Sequence, residues 1–360
     1  MNRRERLRRC YSNEELDRPA VYSRTGFPGN DPTYDKLKAY LRAYSELKMS
    51  WSGVRETSYP TESYREPHSE DFEREVTILH APKGDLQSSR LISLKGQPGL
   101  AETYLLKNRE DAEKYLSLPL PEIRGVDVPS FLAARERIGD DGIVDVSLGI
   151  NPGGFVATLF GTDTFAIMSV TDRDIIHALC RRRMTISTNR LKSLLDNGIG
   201  PFFSMAGQEY IVPPIHGPID FCDFNVKYDK PIIDLIHDAG GYIHIHCHGS
   251  IKKVFQGFTD MGVNVLHPFE APPMGDITAS EAKELARGKM CLEGNIQIDR
   301  MYEATPEDIR QETELLIQTA FDDHKGLIVS PTASPYIRGE GENCFPQYKA
   351  MIDTVLEWNG

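Results

Sequence analysis

A (β/α)8 barrel of the TIM type, with an elaborated N-terminal segment, is the fold that these 360 residues predict. Three observations predict it. From about residue 125 onward, short apolar strands alternate with amphipathic helices, the cadence of parallel strands joined by crossover helices. Neither G-x-G-x-x-G nor G-x-x-x-x-G-K-[ST] occurs, the phosphate-binding turns that a doubly wound open sheet usually carries. Several late strands end in histidine, glutamate or asparagine, as barrel strands do where their C-termini ring one site. The length suits a single structural domain, with residues 1–125 a helix and small β-meander packed on the barrel and residues 126–360 its main part.

The elements follow in order. MNRRERLRRC reads as a basic, solvated helical turn, and RPAVYS as a short strand. DPTYDKLKAYLRAYSELKMSW (31–51) reads as one helix, with Asp31 as cap and Pro32 in the first turn. Residues 52–72 are polar and hold little regular pattern. REVTILHAP and SRLISLK alternate like strands around a turn at Lys83-Gly84-Asp85, and REDAEKYLSLP is a helix stopped by its proline. The strands GIVDVSLGI, PFFSMAG, YIHIHCHG, VNVLHPFE, MCLEGNI and GLIVSPT then interleave with helical segments. The chain closes on the helix NCFPQYKAMIDTVLEW.

A net charge of −12 argues against nucleic acid or an anionic membrane as partner, since such a surface repels phosphates. The six cysteines form no C-x-x-C pair and no disulfide framework, which fits a reducing cytoplasm. The basic start lacks the apolar core of a secretory signal, and no stretch approaches the length of a membrane span.

In YIHIHCHG, residues His244, His246 and His248 recur at two-residue intervals, so a strand puts all three on one face, about 7 Å apart. VNVLHPFE ends in His267 and Glu270, and MCLEGNI places Cys291, Glu293 and Asn295 on one face. Brought to one mouth, imidazoles and carboxylates make a nitrogen–oxygen donor set suited to zinc. A buried Glu270 or Glu293 needs a cation, a donor or a raised pKa to offset its lost hydration. His246, His248 and Glu270 are the candidate metal ligands, and Glu293, Glu270, Asn295 and His267 the candidate catalytic residues. Arg24, Asn151, Glu209, Tyr210 and His244 are candidates for substrate binding: Arg24 follows the first strand, Asn151 a later one, and Glu209 and Tyr210 leave PFFSMAG toward the same rim.

The segments RRERLRRCYSNEELDRPAV, YIHIHCHG, CLEGNIQIDRMYEATPEDI and GLIVSPTASPY together resemble the uroporphyrinogen decarboxylase superfamily over nearly the whole chain. That superfamily includes zinc-dependent, corrinoid-linked methyltransferases. The resemblance implies a TIM barrel, and it favours the methyltransferase branch. The porphyrinogen decarboxylases carry R-Q-A-G-R-Y and F-S-D-I segments. Here Tyr22-Ser23-Arg24-Thr25-Gly26-Phe27 keeps at most one matching arginine, and F-S-D-I is missing. The methyltransferases hold zinc with H-x-C-G and a later cysteine. Here His246-Cys247-His248-Gly249 puts histidine at the first thiolate position, and the later one falls on Ala333. Histidine and glutamate in place of thiolates imply a more electrophilic metal, suited to polarising an ether or amine for demethylation. With no D-x-H-x-x-G segment in the chain, the corrinoid is expected on a separate protein. A homodimer is a further expectation from the resemblance. The alternatives are uroporphyrinogen decarboxylation or a related lyase reaction, and a non-catalytic metal- or ligand-binding barrel.

Overall fold

The computed structural model describes residues 1–95 and 99–358. Its strands are β1 (Ala20–Val21), β2 (Leu47–Trp51), β3 (Val54–Glu56), β4 (Thr61–Pro67), β5 (Phe72–Ala81), β6 (Gly84–Ser93), β7 (Leu100–Thr103), β8 (Ile123–Val126), β9 (Gly142–Ile150), β10 (Phe202–Ala206), β11 (Tyr242–His246), β12 (Val265–His267), β13 (Cys291–Ile296) and β14 (Leu327–Pro331). Eight of them form one parallel sheet in the order β1-β14-β13-β12-β11-β10-β9-β2. The two outer strands of that order meet through Glu46: its N–H donates to the Val21 carbonyl at 2.9 Å, and its Oε2 accepts from the Val21 N–H at 2.7 Å. The sheet thus curls into the predicted (β/α)8 barrel. Strands β12 and β14 are buried at every position, as expected where helices cover the outside and side chains fill the inside.

The N-terminal segment does more than pack on the barrel, because it supplies β1 and β2. The expected single helix over residues 31–51 ends instead at Tyr44. Asp31 does cap its first turn, accepting from the Thr33 N–H. Ser45 then leaves the helix in an extended conformation, and Glu46 is drawn into the closure of the barrel. Leu47, Met49 and Trp51 alternate with Lys48 and Ser50, a period of two hidden behind the preceding helical repeat. The basic start is likewise not a solvated turn. Helix Arg3–Tyr11, capped by Asn2, buries Leu7, Cys10 and Tyr11. The Tyr11 ring meets Phe202 and Tyr242 edge-on at the starts of β10 and β11, so this helix closes the barrel floor.

Outside the barrel, β4, β5, β6 and β7 form an antiparallel meander, and β3 pairs with β8. Residues 52–72 therefore hold two strands where little regular structure was expected. Six of the seven residues of β4 are exposed, so its sequence carries no apolar alternation to read. Leu79 and Leu86 of the meander join Leu106, Tyr115 and the helix Arg173–Asp196 in a second apolar cluster. No single described helix is long and apolar enough to cross a membrane.

Candidate active site

The strand C-termini open into a cavity of about 480 Å3. Its lower layer is built by Lys48 of β2, Asp145 of β9, Ser204 of β10, His244 of β11 and Glu293 of β13. Register sets Ser204 beside Ser147 and His244, and Asp145 reaches Ser204 through a hydrogen bond of 2.9 Å. Glu293 is 1% exposed and forms an ion pair with Lys48, itself buried. Burial alone would raise the Glu293 carboxyl, but Lys48 and His244 outweigh it and hold the group well below the usual carboxylate range. His244 Nε2 lies 3.5 Å from Glu293 Oε2, within ion-pair range, but this enclosed nitrogen has no hydrogen-bond partner.

One layer higher, His246 of β11 pairs in register with His267 of β12. Their rings lie nearly parallel, 5.0 Å apart, and the two Nδ1 atoms approach to 2.8 Å. His267 Nε2 faces the Pro331 carbonyl at 3.2 Å, which assigns the proton to Nε2 and leaves Nδ1 a lone pair. His246 Nδ1–H then donates to that lone pair, which sits on the one ligand atom His267 would offer a metal, so metal binding would displace this contact. Arg24 Nη1 lies 2.8 Å from His246 Nδ1 and 3.4 Å from His267 Nδ1. Burial, reinforced by Arg24 and the neighbouring imidazoles, pushes the pKa of His246 far below the ordinary imidazole range, and His267 likewise. Both rings are neutral.

Among the described residues, one set of three offers ligand atoms that all lie within 4.8 Å of one another: His244, His267 and Glu293. Two imidazoles and an ionised carboxylate suit zinc, and His244 Nε2, which makes no hydrogen bond, is the atom that a metal would satisfy. The donor set fits the ion.

The uroporphyrinogen decarboxylase (URO-D) family matches residues 155–345, more than half of the sequence. The chain belongs to that family. A methyltransferase from Methanosarcina mazei superposes on this URO-D barrel over 99% of each chain, with a TM-score of 0.61 at 14% identity. A B12-independent methionine synthase from Shewanella sp. W3-18-1, solved with selenomethionine, is also 14% identical, over 67% of this chain and 70% of its own, with a TM-score of 0.46. At these identities the likeness is one of fold. The comparison with curated proteins gave no match.

In this URO-D barrel eight of the eleven residues singled out from sequence divide between two neighbouring cavities, and His267, Asn295 and Asn151 line neither. Arg24, His244, His246 and Glu293 line the first. His248, Glu270, Glu209 and Tyr210 line the second, of about 460 Å3. Glu270, 3% exposed, accepts through Oε2 from His248 Nδ1 at 3.0 Å and from the Gly249 N–H at 3.1 Å. The rings of His246 and His248 touch edge to face, 4.6 Å apart, across the boundary. His246, His248 and Glu270 thus lie close together, but the tight donor cluster is the one formed by His244, His267 and Glu293. Asn295 is half-buried at the end of β13 and lines neither cavity. Asn151 is fully enclosed. It caps the helix Pro152–Phe160 and donates to Asn225 and Asp229, so its polar atoms are spent on the fold.

Lys48 and Asp145 were missed. The helical reading of 31–51 hid Lys48. Asp145 and Ser147 carried a signal: both are polar residues on one face of an otherwise apolar parallel strand, and that face turns inward.

Proposed function

We propose that this URO-D barrel moves a methyl group between a small methylated substrate, an ether or an amine, and a corrinoid carried on a separate protein. The observation that carries the reading is the cluster of His244, His267 and Glu293 beneath the barrel mouth, with His244 Nε2 enclosed and without a hydrogen-bond partner. Zinc held by these three residues would act as a Lewis acid on the heteroatom that loses its methyl group. Lys48 keeps Glu293 ionised, which makes it a ligand and not a proton donor. A proton for the departing heteroatom falls instead to His248, which is partly exposed and hydrogen-bonded to Glu270. Tyr210, Ile215 and Met274 stand exposed around the second cavity, an apolar rim suited to a macrocycle presented from outside. The fold likeness to a methyltransferase over the full chain supports the same reading.

Decarboxylation of uroporphyrinogen is the second reading, favoured by the family match. Against it, the first cavity offers Arg24 and Lys48 as its cations, and Lys48 is already neutralised by Glu293. That is a poor match for a polycarboxylated tetrapyrrole. The test is incubation of the zinc-loaded protein with cob(I)alamin and a panel of methylated amines and aryl ethers, followed by absorbance. Methylcob(III)alamin is the expected product. Its absence with every donor, together with carbon dioxide release from uroporphyrinogen, would replace this reading by the second.

A further inference from the structure

The first cavity has two unlike sides. On one, strands β11, β12 and β13 carry His244, His267 and Glu293, the set suited to a metal. On the other, β10, β9 and β2 follow in the sheet order and line the cavity with Ser204, Ser147, Asp145 and Ser50. Register keeps these four together: Ser204 stands beside Ser147, and Ser50 beside Asp145. This second side has no use in the account so far.

Asp145 is its one carboxyl group. Oδ2 accepts from Ser204 Oγ, while Oδ1 is enclosed and without a hydrogen-bond partner. No cation sits within ion-pair distance of Asp145 among the described residues, since Lys48 is turned to Glu293. A carboxylate has about four acceptor positions, and this one receives a single bond from a side chain. A polar group so short of partners inside a protein is costly until something completes it. The residue is only partly buried on the cavity wall, and the torsion that turns a carboxyl group is broad, so either oxygen can be presented to the cavity.

The methylated heteroatom is not that missing partner, because its lone pair is committed to the metal on the opposite side. The partner is a second polar group of the same molecule. A hydroxyl group suits the place in either state of the carboxyl: it donates to the ionised form and accepts from the protonated one, and it can exchange bonds with the three serines. An ammonium group can only donate. The heteroatom is settled by the same need for a lone pair, since an aliphatic amine is protonated at neutral pH, as lysine is, and an ether oxygen is not. We infer that the methylated substrate is a small methyl ether bearing a free hydroxyl group, its ether oxygen directed at the metal side and its hydroxyl held by Asp145. This rests on the methyl-transfer reading above and narrows its ether-or-amine alternative to a hydroxylated ether.

The test is equilibrium binding to the zinc-loaded full chain, followed by ligand-observed nuclear magnetic resonance without any corrinoid, so that no methyl transfer is involved. The probes are 2-methoxyethanol and 3-methoxypropane-1,2-diol, each against the analogue in which methyl replaces every hydroxyl, 1-methoxypropane and 1-methoxy-2-methylbutane. At least one hydroxylated ether should bind about tenfold or more tightly than its analogue, although the analogue is the more apolar, because a site built for a hydroxyl rejects a ligand that leaves its acceptor unpaired. Asp145→Leu, of similar shape but without oxygens, should remove that preference and leave analogue binding in place. Asp145→Asn, which keeps one acceptor, should retain a weaker preference. The inference is overturned if neither hydroxylated ether binds, if both analogues match their hydroxylated partners, or if the preference survives Asp145→Leu. The wild-type comparison alone decides the first two outcomes, whatever the variants do to folding. Failure of the cob(I)alamin assay with this binding preference intact would remove the transfer reaction and not the ligand class.

Discussion

Lys48 and Glu293 face one another inside the barrel with almost no contact with solvent, 5% and 1% exposed at their side chains. Removing one member of such a pair leaves an uncompensated buried charge, which typically costs about 3–5 kcal/mol. Lys48→Met should therefore lower the unfolding free energy by about that amount in metal-free protein, read from denaturant titration. Added zinc should recover part of the loss, because a cation beside Glu293 replaces the missing ammonium. A variant as stable as the parent, with or without zinc, would contradict the proposed electrostatics. At this scale His244 and His246 were legible, because alternation along a strand declares a shared face, whereas His248 lies past the end of β11 and lines the second cavity. Lys48 was not, since a single lysine after a helical repeat looks like one more solvated position. Which imidazole joins which carboxylate depends on strand register, and register is not written in any one segment.

At the scale of elements, Glu46 closes the barrel and carries three roles together. It hydrogen-bonds the Val21 N–H, and it pairs with Arg6 at 2.7 Å and Arg18 at 3.0 Å. Glu46→Ala strands Arg18, leaves Arg6 with Asp17 as its remaining carboxylate, and frees the β1 edge, so a loss of about 3–5 kcal/mol is expected by the same reasoning. Loss of protection at the Val21 amide in hydrogen exchange should accompany it. A second prediction concerns the cap of helix Pro152–Phe160. Asp229, buried beneath Asn151 and Gln208, has its pKa raised to about 7 by desolvation, against the pull of those two hydrogen bonds. An acid raised in the folded state stays neutral while the unfolded chain ionises near pH 4. Its contribution to stability is therefore present below that pH and is lost between pH 4 and pH 7, by about 1.4 kcal/mol per unit. Comparing wild type with Asp229→Asn across that window isolates the effect. The stability difference should shift steadily in favour of the variant as pH rises, and a difference independent of pH would refute the assignment. The β-α cadence after residue 125 was readable because each strand and helix there has its own period. The junction at residues 45–47 was not, because Ser45 breaks the helix with neither glycine nor proline to announce it.

For the whole molecule, the barrel brings residues nearly 270 positions apart to one cavity: Arg24 from the end of β1, Asp145 from β9, Glu293 from β13. No local motif could have carried that arrangement, though the fold could be read from the order of strands and from their polar ends. The outer meander was half visible: β5 and β6 alternate, while the exposed β4 does not. The central claim is that His244, His267 and Glu293 form the metal-holding set of this URO-D barrel. It is tested most directly by the zinc content of purified protein after exhaustive dialysis, wild type beside His244→Ala and His248→Ala. About one zinc per chain should remain in the wild type and in His248→Ala, and it should be lost from His244→Ala. Zinc that stays in His244→Ala, or a wild type that retains none, would contradict the account.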